Sequence, residues 1–344
     1  MSHANIALFV PHAGCTHRCT FCDQRGISGA AGVPTPADVR AACLAAKKSL
    51  GDRARDAEVA FFGGSFTAID PRVMLPLLEE AAACVGQMGF YGIRCSTRPD
   101  AVDDAMLLLL KGYGVTAIEL GAQSLNDGVL QKNRRGHTAG DVTDASLRIR
   151  SHGFSLGLQM MTGLYGDTPE AALATARGIR DLAPDTVRIY PAVVMKHTEL
   201  AELYRRGAYT PQTLEEAVEL CAQLLRMFEE ADIRVIRVGL HGTGELQQNI
   251  VAGPFHPAFR ELCEARMLLE RVLCALKTYA IPPGDIIARI PPGAHSKLVG
   301  QHKKNVEFLK GMHYNLSVCS DPALDRGDLF LGGGNAPEQA VFRA

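Results

Sequence analysis

The chain has 344 residues, of which 47% are hydrophobic and 21% charged, and its formal net charge at pH 7 is −1. These values are ordinary for a globular protein and allow one large α/β domain plus a smaller one. They exclude an overall basic field for nucleic acid, so any basic surface must be local. Residues 1–14 lack a signal-peptide pattern, and the longest aliphatic run, Met106 to Leu110, is too short to span a bilayer. Ten cysteines without an export signal indicate reduced thiols, so we expect a cytoplasmic protein with no membrane partner.

Short apolar strands alternate with helical stripes as far as about Gly239. The predicted strands are Asn5–Val10, Glu58–Phe62, Gly92–Ser96, Thr116–Gly121, Ser155–Met160 and Thr186–Pro191, with Arg234–Val238 as a candidate seventh. The predicted helices are Pro36–Leu50, Arg72–Met88, Asp103–Lys111, a stretch after Asp127, Asp141–His152, Pro169–Leu182 and Pro211–Ala231. Six or more βα units predict a parallel sheet, and their even spacing favours a barrel over an open doubly wound sheet.

A glycine- and proline-rich stretch from His241 to Pro257 predicts the boundary to a C-terminal module. We expect a barrel domain over residues 1–240, a connecting segment and helix over 241–283, and a small basic α/β domain over 284–344. Within the last domain the pattern predicts a strand, a short helix, the loop Gly300-Gln301-His302-Lys303, a second helix and a second strand.

The most specific motif follows the first predicted strand, where Cys15, Cys19 and Cys22 have C-x3-C-x2-C spacing. Three thiolates on one loop can hold an iron–sulfur cluster and leave one iron without a protein ligand. An electron-transfer cluster normally takes four cysteines, and a structural zinc closes a shell of four ligands. From the motif alone, three reduced cysteines or a zinc site with a distant fourth ligand remain alternatives.

This motif, with the aromatic Phe21 before the third cysteine, resembles that of the radical S-adenosylmethionine enzymes. The resemblance implies a partial (β/α)6 barrel, one 4Fe–4S cluster, S-adenosyl-L-methionine on its free iron, and a reductant such as flavodoxin or ferredoxin. In that family an electron from the cluster breaks a sulfur–carbon bond of the cofactor and releases a 5′-deoxyadenosyl radical. In such barrels the chemistry lies at the carboxyl ends of the strands.

Two strand-end segments resemble the family's contacts to the methionine part of the cofactor. Gly63 and Gly64 match the motif that binds the amino group, and Ser65 follows where many members have an acid. Ser96 takes the position of a ligand-binding glutamate in oxygen-independent coproporphyrinogen oxidase-like members, and Arg98 could meet a carboxylate instead.

Two further segments resemble the family's remaining cofactor contacts. Gln123 and Arg135 match residues that bond the cofactor and neutralise its carboxylate. Gln159 replaces an aspartate that bonds ribose hydroxyls, and Gly163 begins the loop beside adenine. Glu119 lies on an apolar strand, so it must be paired or face a polar barrel mouth. The agreement of all these segments in order disfavours a zinc site or a pure electron-transfer cluster.

For the substrate, the segment from Val187 to Leu200 resembles the Elongator catalytic-subunit family, whose members act on the wobble uridine of transfer RNA. The first cysteine spacing differs from that family, and we expect no acetyltransferase domain within the 344 residues. The C-terminal pattern resembles a KH module, which predicts RNA contacts from Lys297, His302, Lys303 and Lys304. Lys303 replaces the second glycine of the KH loop, and a basic cap that closes the barrel is the alternative.

The sequence therefore predicts a radical S-adenosylmethionine enzyme that modifies an RNA, with transfer RNA as the expected substrate. A small molecule such as a tetrapyrrole, or a peptide, is the alternative substrate. The alternative from another class is an iron–sulfur protein that binds RNA or regulates without turnover. No residue is assigned to the chemical step beyond the cofactors.

Overall fold

The computed structural model describes residues 4–16, 18–30, 32–240, 242, 244–325, 327–333 and 339–341; His241, where the predicted boundary segment begins, lies outside them. The strands are β1 (Ala4–Phe9), β2 (Ala57–Phe62), β3 (Gly92–Thr97), β4 (Val115–Gln123), β5 (Ser155–Thr162), β6 (Thr186–Pro191), β7 (Val194–Met195), β8 (Arg234–Val238), β9 (Ile250–Ala252), β10 (Gly284–Ile290), β11 (Tyr314–Ser320), β12 (Leu329–Gly333) and β13 (Gln339–Val341). The helices are α1 (Gln24–Ser28), α2 (Pro36–Leu50), α3 (Pro71–Met88), α4 (Asp104–Gly112), α5 (Asp127–Lys132), α6 (Ala139–Ser151), α7 (Pro169–Asp181), α8 (Glu199–Arg205), α9 (Leu214–Glu230), α10 (Gly244–Asn249), α11 (Phe259–Thr278), α12 (His295–Val299) and α13 (Lys304–Gly311). Short 3₁₀ turns cover Gly51–Asp56, Phe66–Ala68, Pro99–Ala101 and Gln301–Lys303.

The main sheet follows chain order, β1-β2-β3-β4-β5-β6-β8. Strands β1 to β6 pair in parallel, because a helical crossover returns the chain to the same end of the sheet after each strand. β1 and β8 lie at the two edges, so the barrel is partial. The predicted fold class and all seven predicted strands are confirmed.

The helices begin where the sequence carries capping residues. Thr35 and Asp38 form a reciprocal capping box ahead of α2, with Pro36 as the first helical residue. Thr168 caps α7, since its hydroxyl accepts a hydrogen bond from the Ala171 amide. These local signals fix where each helix begins. The carboxyl ends of the strands, which carry the predicted site, lie at one edge because β1 to β6 are parallel.

A buried chain of ion pairs links side chains from four strands of this sheet. Arg94 on β3 binds Glu58 on β2 at 2.6 Å and Glu119 on β4 at 3.1 Å. Glu119 also meets Arg188 on β6 at 2.7 Å, and that guanidinium lies 4.9 Å from the centre of the Phe62 ring. Glu119 is expected from the sequence either to be paired or to face a polar barrel mouth, and the structure shows it paired. The buried carboxylates of Glu58 and Glu119 each have a cation as partner.

The chain divides into two compact units. The first comprises Met1–Thr213, Ile233–Arg237 and His241–Phe255, and the second comprises Leu214–Asp232, Val238–Leu240 and His256–Ala344. The second unit contains a four-stranded sheet in the order β11-β10-β12-β13, with β10 parallel to β11 and antiparallel to β12. Its predicted order of strand, helix, loop, helix and strand is confirmed by β10, α12, α13 and β11. None of the helices within the described ranges is long and apolar enough to cross a membrane.

Replacing Arg94 by Met should lower the free energy of unfolding by about 3–5 kcal/mol, because it removes the cation from between two buried carboxylates. The matched control is Arg72→Met, which breaks the ion pair between Arg72 and Asp70. The Arg72 side chain is 89% exposed, so water screens this pair and the free energy of unfolding should stay close to the wild-type value. Urea denaturation followed by circular dichroism measures both variants. Equal losses in the two variants would contradict this account of the buried charges.

Candidate functional site

The three motif cysteines lie on residues 10–23, here called the cluster loop, which joins β1 to α1. The three thiols are half-buried, and no group of three His, Cys, Asp or Glu side chains in the described ranges is placed to hold a single metal ion. Burial, together with the charges of Cys19 and Cys15, raises the pKa of Cys22 to about 12. Burial and Cys19 likewise raise the pKa of Cys15. Cys15 and Cys22 are therefore neutral thiols at pH 7, and their deprotonation must accompany metal binding.

The glycine turn after β2 packs directly against the cluster loop. Gly64 has φ +58°, and a Cβ there would overlap the carbonyl oxygens of Ala13 and Val10. A Cβ at Gly14 would in turn overlap the Ser65 carbonyl oxygen, and the Ser65 amide donates to the Ala13 carbonyl at 2.8 Å. Backbone meets backbone here, so only glycine fits on either side.

Gln24, the first residue of α1, ties this turn to the cluster loop. Its Oε1 accepts hydrogen bonds from the Gly64 amide at 2.6 Å and from the His12 amide at 2.5 Å. Gly63, with φ +80°, lies in the same turn, and a Cβ there would be 3.4 Å from that oxygen. The amide of Gly64 is therefore already engaged within the protein.

The far end of the cluster loop is held by Asn133, the residue after α5. Its Oδ1 accepts from the Thr20 hydroxyl at 2.8 Å, and its Nδ2 donates to the Tyr165 carbonyl at 2.9 Å. Asn133 is fully buried. It joins the cluster loop to the loop after β5, in which Gly163 lies.

Arg135 lies next to the middle cysteine. Its Nη1 donates to the Cys19 sulfur at 3.0 Å and its Nη2 to the Gly121 carbonyl at 2.7 Å. Its Nε is buried and has no hydrogen-bond partner within the described ranges. His137 is also buried, and burial together with Arg135 lowers its pKa to about 4, so the imidazole is neutral at pH 7 and adds no charge beside the guanidinium.

The segment after β3 forms a second polar cluster. The buried Ser65 hydroxyl bonds the Thr97 hydroxyl at 3.0 Å and accepts from the Arg98 amide at 3.2 Å. The Arg98 guanidinium binds both Asp100 oxygens, at 2.8 and 2.6 Å, and donates to the Thr16 hydroxyl at 3.1 Å. Ser96 is half-buried on β3 and lies in register with Glu119 of β4.

Gln123 and Gln159 are brought together at the ends of β4 and β5. The Gln159 Nε2 donates to the Gln123 Oε1 at 3.2 Å, and Gln123 has φ +64°, a strained backbone for a residue other than glycine. A β-bulge between Leu120 and Gln123 accompanies this turn of the backbone. Both amide side chains therefore end beside the strand ends that carry Gly121.

Gly163 is enclosed by residues from two later segments. Its amide donates to the Asp167 carboxylate at 3.0 Å, and its carbonyl accepts from the Tyr209 hydroxyl at 2.6 Å. Burial raises the pKa of Asp167 to about 6, although backbone amides of the same loop oppose the shift. Gly163 has φ +67°, and a Cβ there would lie 2.6 Å from the Gln212 Oε1, so the position suits glycine.

Phe21 packs inward from the cluster loop. It contacts two buried apolar clusters, one that includes Val194 and Leu200 and another that includes Leu164 and Ala192. It therefore anchors the loop between the second and third cysteines to the neighbouring strand ends.

These residues fit the cofactor that the sequence predicts. The unpartnered Arg135 Nε suits an anionic group, and the Gln123 and Gln159 amides suit hydroxyl groups. Gly121 leaves an open cradle, since a Cβ there would lie 2.8 Å from the Gln123 Nε2. A carboxylate and ribose hydroxyls are the groups that S-adenosyl-L-methionine would present.

The second unit has a cleft of about 340 Å³ between α11, α12 and the Gln301–Lys303 turn. Lys297, His302 and Lys303 line it, above a floor that includes Leu262 and Ala265. His302 and Lys303 both have positive φ, +53° and +61°, so the turn projects its basic side chains from a strained backbone. Lys297 binds Glu264 at 2.6 Å, whereas Lys304 lies 3.8 Å from the exposed Glu215.

Sequence patterns did not identify several residues that hold the site. Gln24, Asn133 and Tyr209 act through partners 40, 113 and 46 positions away along the chain, and no local spacing reveals such pairs. The pairing of Arg98 with Asp100 could have been found, because a basic and an acidic residue flank Pro99.

The amino-acid sequence is similar to those of curated proteins from other organisms. The curated "tRNA uridine(34) acetyltransferase" of Dehalococcoides mccartyi is 27% identical over 239 residues, which cover 60% of this chain and 52% of that protein. Human "Elongator complex protein 3" is 31% identical over 186 residues, which cover 51% of this chain and 32% of that protein. The chain thus spans about half the length, or less, of these curated relatives.

The solved structure of Methanocaldococcus infernus Elp3 with an N-terminal deletion superposes with a TM-score of 0.64 at 22% identity, covering 81% of this chain and 68% of that one. This likeness supports the partial-barrel fold. Residues 9–179 match the model of the radical SAM superfamily, and residues 184–270 match the model of the radical SAM C-terminal domain. The two matches together span most of the chain, which belongs to the radical S-adenosylmethionine superfamily of enzymes that use a 4Fe–4S cluster and S-adenosyl-L-methionine.

Proposed function

We propose that Cys15, Cys19 and Cys22 hold the 4Fe–4S cluster of a radical enzyme that modifies transfer RNA. The observation that carries the cofactor part is the contact of Arg135 with Cys19, which brings the predicted carboxylate-binding residue to the predicted metal ligand. Burial of the thiols suits a cluster, because ligation by iron offsets the cost of ionising them in a desolvated loop.

The protein's part in the chemistry is to bind and orient the cofactor. Arg135 would neutralise its carboxylate, Gln123 and Gln159 would bond its hydroxyls, and the turn at Gly63 and Gly64 would receive its amino group. Once bound, the cofactors supply a 5′-deoxyadenosyl radical through one-electron reduction. Phe21 packs against the apolar cluster of Val129, Leu164 and Ala192, which holds the cluster loop beside the strand ends to which the cofactor is assigned.

Anaerobically reconstituted protein with dithionite should convert S-adenosyl-L-methionine to 5′-deoxyadenosine, measured by liquid chromatography with mass detection. Cys22→Ala should lower the rate by more than about 100-fold, since even changes around metal ligands cost about 10–100-fold. The matched control, Cys43→Ala, alters a buried cysteine of α2 outside the cluster loop and should retain the activity and the iron. Absence of product from wild-type protein that holds the cluster would refute the proposal.

Transfer RNA as the substrate is supported by the names of the curated relatives, "tRNA uridine(34) acetyltransferase" and "Elongator complex protein 3". The match covers only the part of those proteins that aligns with the barrel. The proposal therefore concerns the class of substrate, and it does not assign their complete activity to this chain. We propose that the barrel mouth receives a nucleoside of transfer RNA.

Deletion of the gene should remove or truncate one modified nucleoside in transfer RNA. Mass spectrometry of transfer RNA nucleosides compares the wild-type strain with the deletion strain. Two further strains carry a plasmid in the deletion background, one with the wild-type gene and one with the Cys22→Ala gene as the matched inactive control. Loss of a nucleoside that only the wild-type gene restores is the expected result. An unchanged nucleoside profile would refute transfer RNA and direct the search to a small molecule or a peptide.

We also propose that the basic turn of the second unit contacts RNA phosphates. Lys303 and Lys304 are the strongest candidates, because both are exposed, whereas Lys297 is already neutralised by Glu264 at 2.6 Å. Asn305 supports the turn, since its buried Nδ2 donates to the carbonyls of Ala265 and Leu298 at 3.0 Å. The start of α13 is thereby fixed to α11 and α12.

Changing Lys303 and Lys304 together to Gln should weaken binding of transfer RNA and lower the slope of log affinity against log salt by about 2, one for each lost phosphate contact. Lys47 and Lys48 on α2, also exposed, give the matched control with the same change of charge. Filter binding at several salt concentrations measures both double variants. An equal effect in the two variants would show that the turn has no specific role.

A further inference from the structure

Arg98 is already engaged by the protein on both edges of its guanidinium. Its Nε and Nη2 donate to the two oxygens of Asp100, and its Nη1 donates to the hydroxyl of Thr16, the neighbour of Cys15. Its side chain is 8% exposed, whereas that of Asp100 is 33% exposed. A cofactor carboxylate would have to displace one of these partners to gain the paired contact that arginine prefers.

The backbone around Arg98 is fixed independently of its side chain. The Arg98 amide donates to the Ser65 hydroxyl at 3.2 Å, and Pro99 begins the 3₁₀ turn that places Asp100. The Thr67 hydroxyl holds the end of that turn through the Ala101 carbonyl at 2.6 Å. The position of the guanidinium is thus a property of the fold, set before any ligand binds.

We propose that Arg98 is a positioning residue for the cluster loop and that its charge raises the reduction potential of the cluster. The inference rests on the proposed assignment of the cluster to Cys15, Cys19 and Cys22. Through Thr16 the guanidinium fixes the chain next to the first ligand, as Arg135 does at Cys19.

The sign of the effect follows from the charge balance of reduction. The cluster accepts one electron from an external reductant and becomes more negative by one charge, so a nearby buried cation stabilises the reduced form more than the oxidised form. Asp100 offsets this only in part, since its carboxylate is partly exposed and is screened by water, whereas the guanidinium is buried. Loss of the cation should therefore make the midpoint potential more negative.

The alternative role, a direct contact with the cofactor's carboxylate, leads to a different result. It would make Arg98→Met lose most of its affinity for S-adenosyl-L-methionine, whereas loss of a residue that only positions the loop leaves that affinity nearly unchanged. The affinity, measured on the same protein as the potential, therefore separates the two roles without any measurement of turnover.

The test uses full-length, reconstituted protein with Arg98→Met, Arg98→Lys and the control Arg18→Met, which removes an exposed cation from the same loop. Redox titration monitored by electron paramagnetic resonance gives the midpoint potential without cofactor, and equilibrium dialysis gives the affinity for S-adenosyl-L-methionine. We expect a more negative midpoint in Arg98→Met alone, a midpoint near the wild-type value in Arg98→Lys, and less than about a twofold change in affinity.

A wild-type midpoint in Arg98→Met would overturn the proposal, whatever happens to the affinity. If Arg98→Met does not retain a full cluster by iron and sulfide analysis, the titration is repeated on Arg98→Gln, in which an unshifted midpoint has the same meaning. Failure of the proposed function would appear separately, as wild-type protein without a cluster or as Cys22→Ala protein that still holds one.

Discussion

The site depends on holding one irregular loop in place at the edge of a sheet. Among the described residues β1 pairs with β2 alone, and the cluster loop that follows it has few backbone hydrogen bonds of its own, so ordering this loop costs conformational entropy. The ends of other strands offset that cost at successive points. Gly64 and Ser65 hold Ala13, Arg98 holds Thr16, Arg135 holds Cys19, and Asn133 holds Thr20. The three cysteines therefore take a defined arrangement in space only within the assembled barrel.

The glycine motif after β2 has a structural cause that precedes any ligand. Gly64 and Gly14 exclude a side chain from each other's loops, so the two loops interlock through their backbones. Gln24 then occupies the amide of Gly64, which leaves the other backbone groups of the turn for a bound molecule. The same close approach that fixes the cluster loop also shapes the surface to which the cofactor's amino group is assigned.

The sequence was sufficient for the architecture and for the strand ends that carry the site. Apolar runs of four to eight residues between capping signals give β1 to β6 and their helices within a few residues, because these patterns are local. Short elements such as α8 and β7 escaped prediction, since their cause is tertiary packing around Tyr209. Asn133 escaped for the same reason, because a buried amide that bridges two loops leaves no periodic trace.

Serine in place of the family's acidic residues removes negative charge near the thiols, and the buried arginines add positive charge there. Both changes make the surroundings of the thiols more positive. Ser65 is fully buried and bonded to Thr97, so a carboxylate there would have been desolvated beside the cluster loop. Because Ser65 and Ser96 stand where family members have acidic residues, less negative charge offsets the guanidinium charges of Arg98 and Arg135 near the thiols. On the proposed assignment of the cluster, more positive surroundings would stabilise the three thiolates and favour an added electron on the cluster. In this proposal the two guanidinium groups, which the fold holds in place, provide the positive charge that balances the thiolates and the reduced cluster.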